Sequence, residues 1–300
     1  MSFDGRKQPA DQPGDQPAGL VVVDKPGGMT SHDVVARVRR AVGTRKVGHA
    51  GTLDPMATGV LVIGVDRATR MLGHLTLTEK SYDATMRLGA TTTTDDAEGE
   101  VVATASTAAI TEDVVRTALR SLAGPIMQVP ASVSAIKVDG KRAYARARSG
   151  EQVELAARLV TVHEIEASDF RREGDCLDLR LRIRCSSGTY IRAIARDLGA
   201  ALGVGGHLTQ LRRTAVGPFT LAEAGADLDR VEVVPIAHAA RAAFPSVDLS
   251  GEHATDVRFG RKLPLELGGE GPHALFAPDG QFLALYEQDG ELARAVAVFV

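Results

Sequence analysis

The stretch CLDLRLRIRC, Cys176–Cys185, followed by SSGTY and IRAIARDLG, residues 186–199, sets the fold class of the chain. Every second residue of the first part is apolar, and this period of two predicts a β-strand with one buried face. The last part places Ile191, Ile194 and Leu198 at helical spacing, which predicts an α-helix directly after SSGTY. A half-buried strand that runs into an amphipathic helix is typical of a mixed α/β domain.

The same two periods predict further elements on either side of this stretch. We expect Ser31 to cap a helix that ends at Gly43. We expect Thr111 to open a second helix, with Val114 on its buried face and Gly124 at its end. Short buried strands are predicted for GLVVVDK, VLVIGV and SYDATMRLG, residues 19–25, 60–65 and 81–89.

Composition divides the chain into parts. Residues 1–18 are polar and rich in proline, and they predict a disordered tail. Residues 19–240 hold the alternating strands and helices of the α/β body. Within it, residues 129–154 are strongly basic without a clear period, which predicts a surface insertion. Residues 245–300 read as short strands separated by the turn signals APDGQ and EQDGE, which predicts a small β module.

Several classes of protein are excluded by composition. No apolar run approaches the roughly 18 residues that a membrane-spanning helix needs, and no signal-peptide core precedes the first strand. Strand alternation points Cys176 and Cys185 to opposite faces about 30 Å apart, so they cannot form a disulfide. We therefore expect a soluble, cytoplasmic protein.

Charge is concentrated in runs. The formal net charge of −3 argues weakly against a nucleic-acid partner. Three runs contain almost no acid and suggest a polarised surface that could follow phosphates, although each could also be an ordinary solvated face. The runs comprise Arg37, Arg39, Arg40, Arg45 and Lys46; Lys137, Lys141, Arg142, Arg146 and Arg148; and Arg180, Arg182, Arg184, Arg192 and Arg196.

Motifs that would indicate a cofactor or a metal are missing from the sequence. It contains no P-loop, HExxH, GxSxG or CxxC motif, and its eight histidines show no metal-ligand spacing. We expect neither a cofactor nor a metal ion.

The segment KVGHAGTLDPMATG, residues 46–59, is the strongest candidate for chemistry. Its three glycines and its proline predict a tightly shaped loop. Pro55 favours an extended backbone at Asp54 and so fixes the direction of its carboxylate, and His49 could approach the same substrate. Alternatively, Asp54 caps a short helix that begins at Pro55, and spacing alone favours this second interpretation.

Six segments in register resemble the TruB family of tRNA pseudouridine synthases, and the resemblance runs from about Gly19 to Phe219. These segments are GLVVVDKPGGMTSHDVV, KVGHAGTLDPMATGVL, KSYDATMRLG, SAIKVDGKRAYARAR, CSSGTYIRAIARDLG and LTQLRRTAVGPF. The resemblance implies an enzyme that isomerises uridine 55 in the T-arm of tRNA, with residues 19–240 as its catalytic domain. It also implies a mixed, largely antiparallel sheet with flanking helices, and a C-terminal RNA-binding module similar to a barrel-like PUA domain.

The resemblance also implies roles for individual residues. Asp54 matches the nucleophile, Tyr82 the tyrosine that stacks on the target uracil and could transfer a proton, and Arg192 the arginine that pairs with the aspartate. Further substrate-binding positions are implied for His49, Tyr190, Leu211, Lys25 and Lys80.

RNA contacts outside the pocket are implied with less detail. The basic residues Lys137, Lys141, Arg142, Arg146 and Arg148 would clamp the T-arm through its backbone. The chain departs from the usual PPxYSA motif at Ala131 and Val133, which puts a wall contact at Val133 in doubt. We expect a monomer with tRNA as its partner. Two other functions stay open: an RNA-binding protein that helps tRNA fold, and an unrelated carboxylate-dependent hydrolase.

Overall fold

The computed structural model describes residues 18–131 and 155–300 and, for the backbone alone, 137–138 and 141–142. Residues 1–17 of the predicted tail lie outside the described residues, and so does most of the basic insertion. The predicted RNA contacts of Lys137, Lys141, Arg142, Arg146 and Arg148 therefore fall on side chains that are not described, as does the departure at Val133.

Strands dominate the described chain. They are β1 Gly19–Lys25, β2 Val47–His49, β3 Thr58–Val65, β4 Lys80–Leu88, β5 Ala90–Thr92, β6 Val101–Thr104, β7 Gly124–Gln128, β8 Lys137–Val138, β9 Lys141–Arg142, β10 Arg158–Glu173, β11 Cys176–Cys185, β12 Gly206–Val216, β13 Phe219–Thr220, β14 Val234–Pro235, β15 Ser246–Asp248, β16 His273–Phe276, β17 Phe282–Asp289 and β18 Leu292–Val298. The α-helices are α1 Ser31–Val42, α2 Leu72–Thr76, α3 Glu112–Arg120, α4 Ile191–Ala201, α5 Ile236–Ala243 and α6 Gly251–Arg258, and a 3₁₀ helix covers Asp66–Met71.

The main sheet has ten strands and runs in the order β14-β1-β3-β12-β4-β11-β10-β7, with β2 on β3 and β13 on β12. Its neighbours are antiparallel except β3 and β12, which pair in parallel over two residues. This confirms the predicted mixed, largely antiparallel sheet with flanking helices.

Strand β11 lies inside this sheet between β4 and β10, as its alternation requires. Leu177, Leu179, Leu181 and Ile183 are at most 3% exposed and belong to the core beneath α1, α3 and α4. The predicted helix after SSGTY is α4, which starts at Ile191.

Two helix boundaries differ from the sequence prediction. Thr30, not Ser31, is the N-cap of α1, because Thr30 has the extended backbone and exchanges a capping box with Asp33. Gly43 ends α1 in a left-handed conformation, as predicted. Ser31 instead lies in the first turn, where its hydroxyl donates to Leu53 O at 3.1 Å and accepts from Leu53 N at 2.9 Å. It thereby ties α1 to the loop of Asp54.

Helix α3 begins after its predicted cap Thr111 but ends at Arg120, and Gly124 opens strand β7 instead. The prediction that Val114 is buried was wrong, since Val114 is 43% exposed. Val115 and Leu119, four residues apart on one helical face, make the contact with the core.

The C-terminal residues form a separate four-stranded sheet, β15-β16-β17-β18. Phe276, Phe282 and Phe299 share a core with Leu20 and Val22 of β1, so this module packs on the side of β1 opposite α1, α3 and α4. No helix among the described residues is long and apolar enough to cross a membrane.

Candidate active site

Four segments converge on a cavity of about 330 Å³: the loop from Gly51 to Asp54, strand β4, the start of α4 and strand β12. The cavity brings together six of the predicted site residues, namely Asp54, Lys80, Tyr82, Tyr190, Arg192 and Leu211. His49 and Lys25 are not among its lining residues.

Asp54 does not cap a helix, so the alternative interpretation of its position was wrong. A tight turn follows, closed by the hydrogen bond from Ala57 N to Asp54 O at 3.1 Å, and strand β3 starts at Thr58. A second hydrogen bond, from Gly28 N to Pro55 O at 2.8 Å, ties this turn to the segment after β1. The side chain of Asp54 is thus left to face the cavity.

The carboxylate of Asp54 pairs with Arg192 at 3.0 Å. The side chain of Arg192 is only 4% exposed, whereas that of Asp54 is 36% exposed toward the cavity. Arg192 is therefore not a surface arginine. Burial raises the pKa of Asp54 above its usual range, and the charge of Arg192 opposes this rise.

Asp96 is a member of the site that sequence reasoning missed. Its carboxylate lies 3.4 Å from Nη1 of Arg192, and the same Nη1 donates to Thr94 O at 2.8 Å. Asp96 itself is 3% exposed and accepts hydrogen bonds from Thr94 Oγ1 and Glu98 N. Arg192 is thereby held between two carboxylates, those of Asp54 and Asp96. In the sequence Asp96 stands in the acidic run TTTTDDAEGE, and nothing in its spacing relates it to Arg192.

Tyr82 is 7% exposed and belongs both to the core and to the cavity wall. On the neighbouring strands its cross-strand partners are Arg213 of β12 and Ile183 of β11. Burial raises the pKa of its phenol above 10, and the charge of Arg213 opposes the rise. Tyr82 can therefore both pack in the core and offer its ring as a stacking surface to a ligand in the cavity.

Lys25 and Lys80 are buried cations held by backbone carbonyls. Nζ of Lys25 donates to the carbonyls of Met29, Pro26 and Pro55 at 2.6, 2.9 and 3.2 Å. Nζ of Lys80 donates to the carbonyls of Thr76 and Thr78 at 2.8 and 2.9 Å. Burial lowers the pKa of both lysines to about 8, with Asp54 opposing this at Lys25 and Arg213 adding to it at Lys80. Lys25 thus supports the turn after Asp54, whereas Lys80 reaches the cavity wall.

A wider groove of about 900 Å³ adjoins the cavity and shares Leu211 with it. Of the third basic run, Arg180 and Arg182 line this groove and are 69% and 77% exposed. All five residues of that run form ion pairs with acids, Arg180 with Asp169 and Arg182 with Asp83 among them. The run therefore does not form one surface for phosphates. Within the described ranges, no group of three His, Cys, Asp or Glu side chains is placed to hold a metal ion.

The fold is that of a pseudouridine synthase. The solved structure described as "Crystal Structure of a Cbf5-Nop10-Gar1 Complex" is similar, with a TM-score of 0.69 and 26% identity over 94% of this chain and 85% of that chain. A second, "Crystal structure of the archaeal box H/ACA sRNP Nop10-Cbf5 complex", gives a TM-score of 0.68 and 25% identity over 95% and 87%.

Family models identify the branch of this class. The model "TruB family pseudouridylate synthase (N terminal domain)" matches residues 39–191, "tRNA pseudouridylate synthase B C-terminal domain" matches 192–240, and "tRNA Pseudouridine synthase II, C terminal" matches 244–300. The curated protein "tRNA pseudouridine synthase B" of Arthrobacter sp. strain FB24 is 56% identical over 94% of this chain and 96% of its own. The protein of the same name from Thermobifida fusca is 58% identical over 94% and 98%. The chain belongs to the TruB family of pseudouridylate synthases.

Proposed function

We propose that the chain converts uridine 55 in the T-arm of tRNA to pseudouridine, with Asp54 as nucleophile and Tyr82 and Arg192 as the other catalytic residues. The family supports the reaction and the choice of RNA. The observation that carries the residue assignment is the 3.0 Å pair of Asp54 and Arg192 in a cavity walled by Tyr82.

The reaction breaks the N1–C1′ bond and forms a C5–C1′ bond, while one proton leaves C5 and one reaches N1. No electrons are gained or lost overall, so amino-acid side chains suffice for it. An ionised carboxylate can hold one fragment by attacking either C6 of uracil or C1′ of ribose. Asp54 faces the cavity from a turn fixed by Lys25 and Gly28, which suits either attack.

Arg192 keeps this nucleophile charged. A buried carboxylate tends to take up a proton, and an adjacent guanidinium favours the ionised form. Asp96 holds the far side of Arg192, so the guanidinium cannot swing away from Asp54 without breaking a second pair.

The target base must leave its stack to reach Asp54, at a cost of a few kcal/mol. Stacking on an aromatic ring such as Tyr82 returns about 1–3 kcal/mol. A cavity of about 330 Å³ lies within the size range of small-ligand pockets. Tyr190, Leu211 and Lys80 would contact the flipped base, with Lys25 supporting the pocket and His49 contacting the RNA at its edge.

RNA outside the cavity would lie along the groove, where the exposed Arg180 and Arg182 would exchange their ion pairs with Asp169 and Asp83 for phosphates. The basic residues between 129 and 154 would clamp the T-arm, and the C-terminal module would bind RNA in the manner of a PUA domain. We propose that the protein acts as a cytoplasmic monomer.

The test is Asp54→Asn with unmodified tRNA as substrate and pseudouridine measured by mass spectrometry. We expect product formation to be abolished and binding to stay within about tenfold, or 1.4 kcal/mol. The matched control is Asp279→Asn in the exposed APDGQ turn, where asparagine keeps an acceptor for Gln281 N. Turnover near the wild-type level in Asp54→Asn would refute the assignment. A wild-type protein that binds tRNA but forms no product would point instead to a tRNA-folding factor.

A further inference from the structure

Arg213 is a buried arginine next to the cavity that the reaction scheme above does not use. It is 1% exposed, and it belongs to β12. Its Nε donates to Val60 O at 2.7 Å, and its two Nη atoms donate to Gly51 O at 3.2 Å and Thr52 O at 3.4 Å. The guanidinium therefore links β12 and β3 to the loop that carries Asp54.

The backbone around Arg213 is shaped to bring it there. Gly59 has φ +101° and pairs in parallel with Arg213, and a Cβ at Gly59 would lie 2.1 Å from Arg213 O. Gly51, with φ +93°, has a left-handed backbone that favours glycine, and its carbonyl accepts from Nη2 of Arg213. Gly59 thus permits the close approach of β3 and β12 that brings the arginine to the loop.

Arg213 also lies beside Tyr82. The two residues are paired across β12 and β4, so their side chains leave the sheet on the same face. Both line the cavity. The other charged or titratable groups near the Tyr82 phenol are Asp54 on the loop, Cys185 on β11, Lys80 on β4 and Arg192 on α4.

We propose that Arg213 is a positioning residue with two effects: it fixes the loop of Asp54 through the carbonyls of Gly51 and Thr52, and its charge stabilises the phenolate form of Tyr82. The proposal rests on the proposed function. In the scheme it supports, Tyr82 gives its phenolic proton to N1 after the N1–C1′ bond has broken. The phenolate then takes the proton from C5 once the C5–C1′ bond has formed, and Tyr82 ends as a phenol again.

The physical reason is the location of the phenol in the core. Burial raises the pKa of a phenol, whereas a cation within about 4–6 Å lowers the pKa of an acidic group by roughly 1–3 pH units. Because Arg213 is held by neutral carbonyls in the hydrogen bonds described above, its charge is available to the phenol.

The electrostatic effect can be measured without RNA. 3,5-Difluorotyrosine placed at position 82 has a more acidic phenol, and its ¹⁹F NMR shift follows ionisation of that one ring. With Arg213→Gln we expect the titration midpoint to rise by about 1 pH unit or more. The matched control is Arg212→Gln on the same strand, because Arg212 points to Asp24 instead, and its midpoint should stay within about 0.5 pH units of the parent. An unchanged midpoint in folded Arg213→Gln overturns the electrostatic role.

Arg213→Lys separates the two effects and decides the matter if Arg213→Gln does not fold. It keeps the charge but cannot span Val60, Gly51 and Thr52 at once. We expect a midpoint within about 0.5 pH units of the parent and a single-turnover rate at least about tenfold lower in the protein with ordinary tyrosine. A wild-type rate overturns the loop-positioning role, and a midpoint raised by about 1 pH unit overturns the electrostatic role. Failure of the proposed function would show separately, as wild-type protein that forms no pseudouridine.

Discussion

Replacing Asp96 with asparagine removes a charge that does not itself line the cavity, and it should nevertheless slow the reaction. The Asp96 carboxylate lies 3.4 Å from Nη1 of Arg192, and both side chains are 4% exposed. At an effective dielectric constant of 20, two unit charges at that distance attract by about 5 kcal/mol. Asparagine keeps an acceptor for Thr94 Oγ1 and Glu98 N, so the turn itself should persist.

Loss of this attraction should change both the rate of the reaction and the pKa of Asp54. Arg192 loses the carboxylate that holds it opposite Asp54, so we expect the single-turnover rate to fall about 10- to 100-fold, equivalent to roughly 1.4–2.8 kcal/mol. The negative charge of Asp96 also contributes to the raised pKa of Asp54, after burial as the main cause. Its removal should lower that pKa, and the acidic limb of the pH–rate profile should move to lower pH.

Release of tritium from C5 of labelled tRNA under single-turnover conditions measures both quantities. Asp95→Asn is the matched control, since Asp95 pairs with Arg196 instead and asparagine tolerates its left-handed φ of 61°. A wild-type rate in folded Asp96→Asn would refute the claim that Asp96 holds Arg192. An acidic limb that moves to higher pH would refute the electrostatic reasoning.

Two further predictions concern stability. Gly59→Ala should lower the free energy of unfolding by more than about 2 kcal/mol in a urea titration, because the new Cβ would lie 2.1 Å from Arg213 O. The control is Gly73→Ala in α2, where a Cβ would have no atom within 4 Å and should not destabilise the protein. Equal urea midpoints for the two variants would contradict the close approach of β3 and β12. Burial lowers the pKa of Lys80 from 10.5 to about 8, so between these pH values the unfolded chain binds more protons than the folded one. The free energy of unfolding of wild type, relative to that of Lys80→Met, should therefore rise with pH across this window. A difference in unfolding free energy that stays constant between pH 8 and 10.5 would contradict the buried charge.

The sequence predicted those features that depend on local periodicity or on a matched motif. Strand β11 and helix α4 follow from alternation and helical spacing alone. The gathering of Asp54, Tyr82 and Arg192 followed from the family motifs, because spacing by itself favoured a helix cap at Asp54. That preference failed because the chain after Pro55 makes one turn and then joins β3, and the pairing of β3 with β1, β2 and β12 decides this outcome rather than local propensity.

Asp96 and Arg213 could not be predicted, because their partners are set by the sheet order. Asp96 meets Arg192 across nearly a hundred positions of sequence because the turn after β5 joins β12 through the hydrogen bond from Leu208 N to Asp95 O. Arg213 meets Gly51 because β12 inserts between β3 and β4. In the sequence the first is one acid in an acidic run, and the second is one of two adjacent arginines.

The charges around the cavity show how stability and function oppose each other in this fold. Lys25, Lys80, Arg192 and Arg213 are all at most 6% exposed in a protein of net charge −3. All four donate hydrogen bonds to backbone carbonyls, which satisfy donors without cancelling charge, and Arg192 pairs in addition with the carboxylates of Asp54 and Asp96. Burying a cation in this way destabilises the folded state, as the lowered pKa values of the two lysines show. The same positive potential favours an ionised Asp54 and any negative charge that develops on a uracil ring released from C1′, so the cost to folding coincides with the electrostatic stabilisation that the proposed reaction requires.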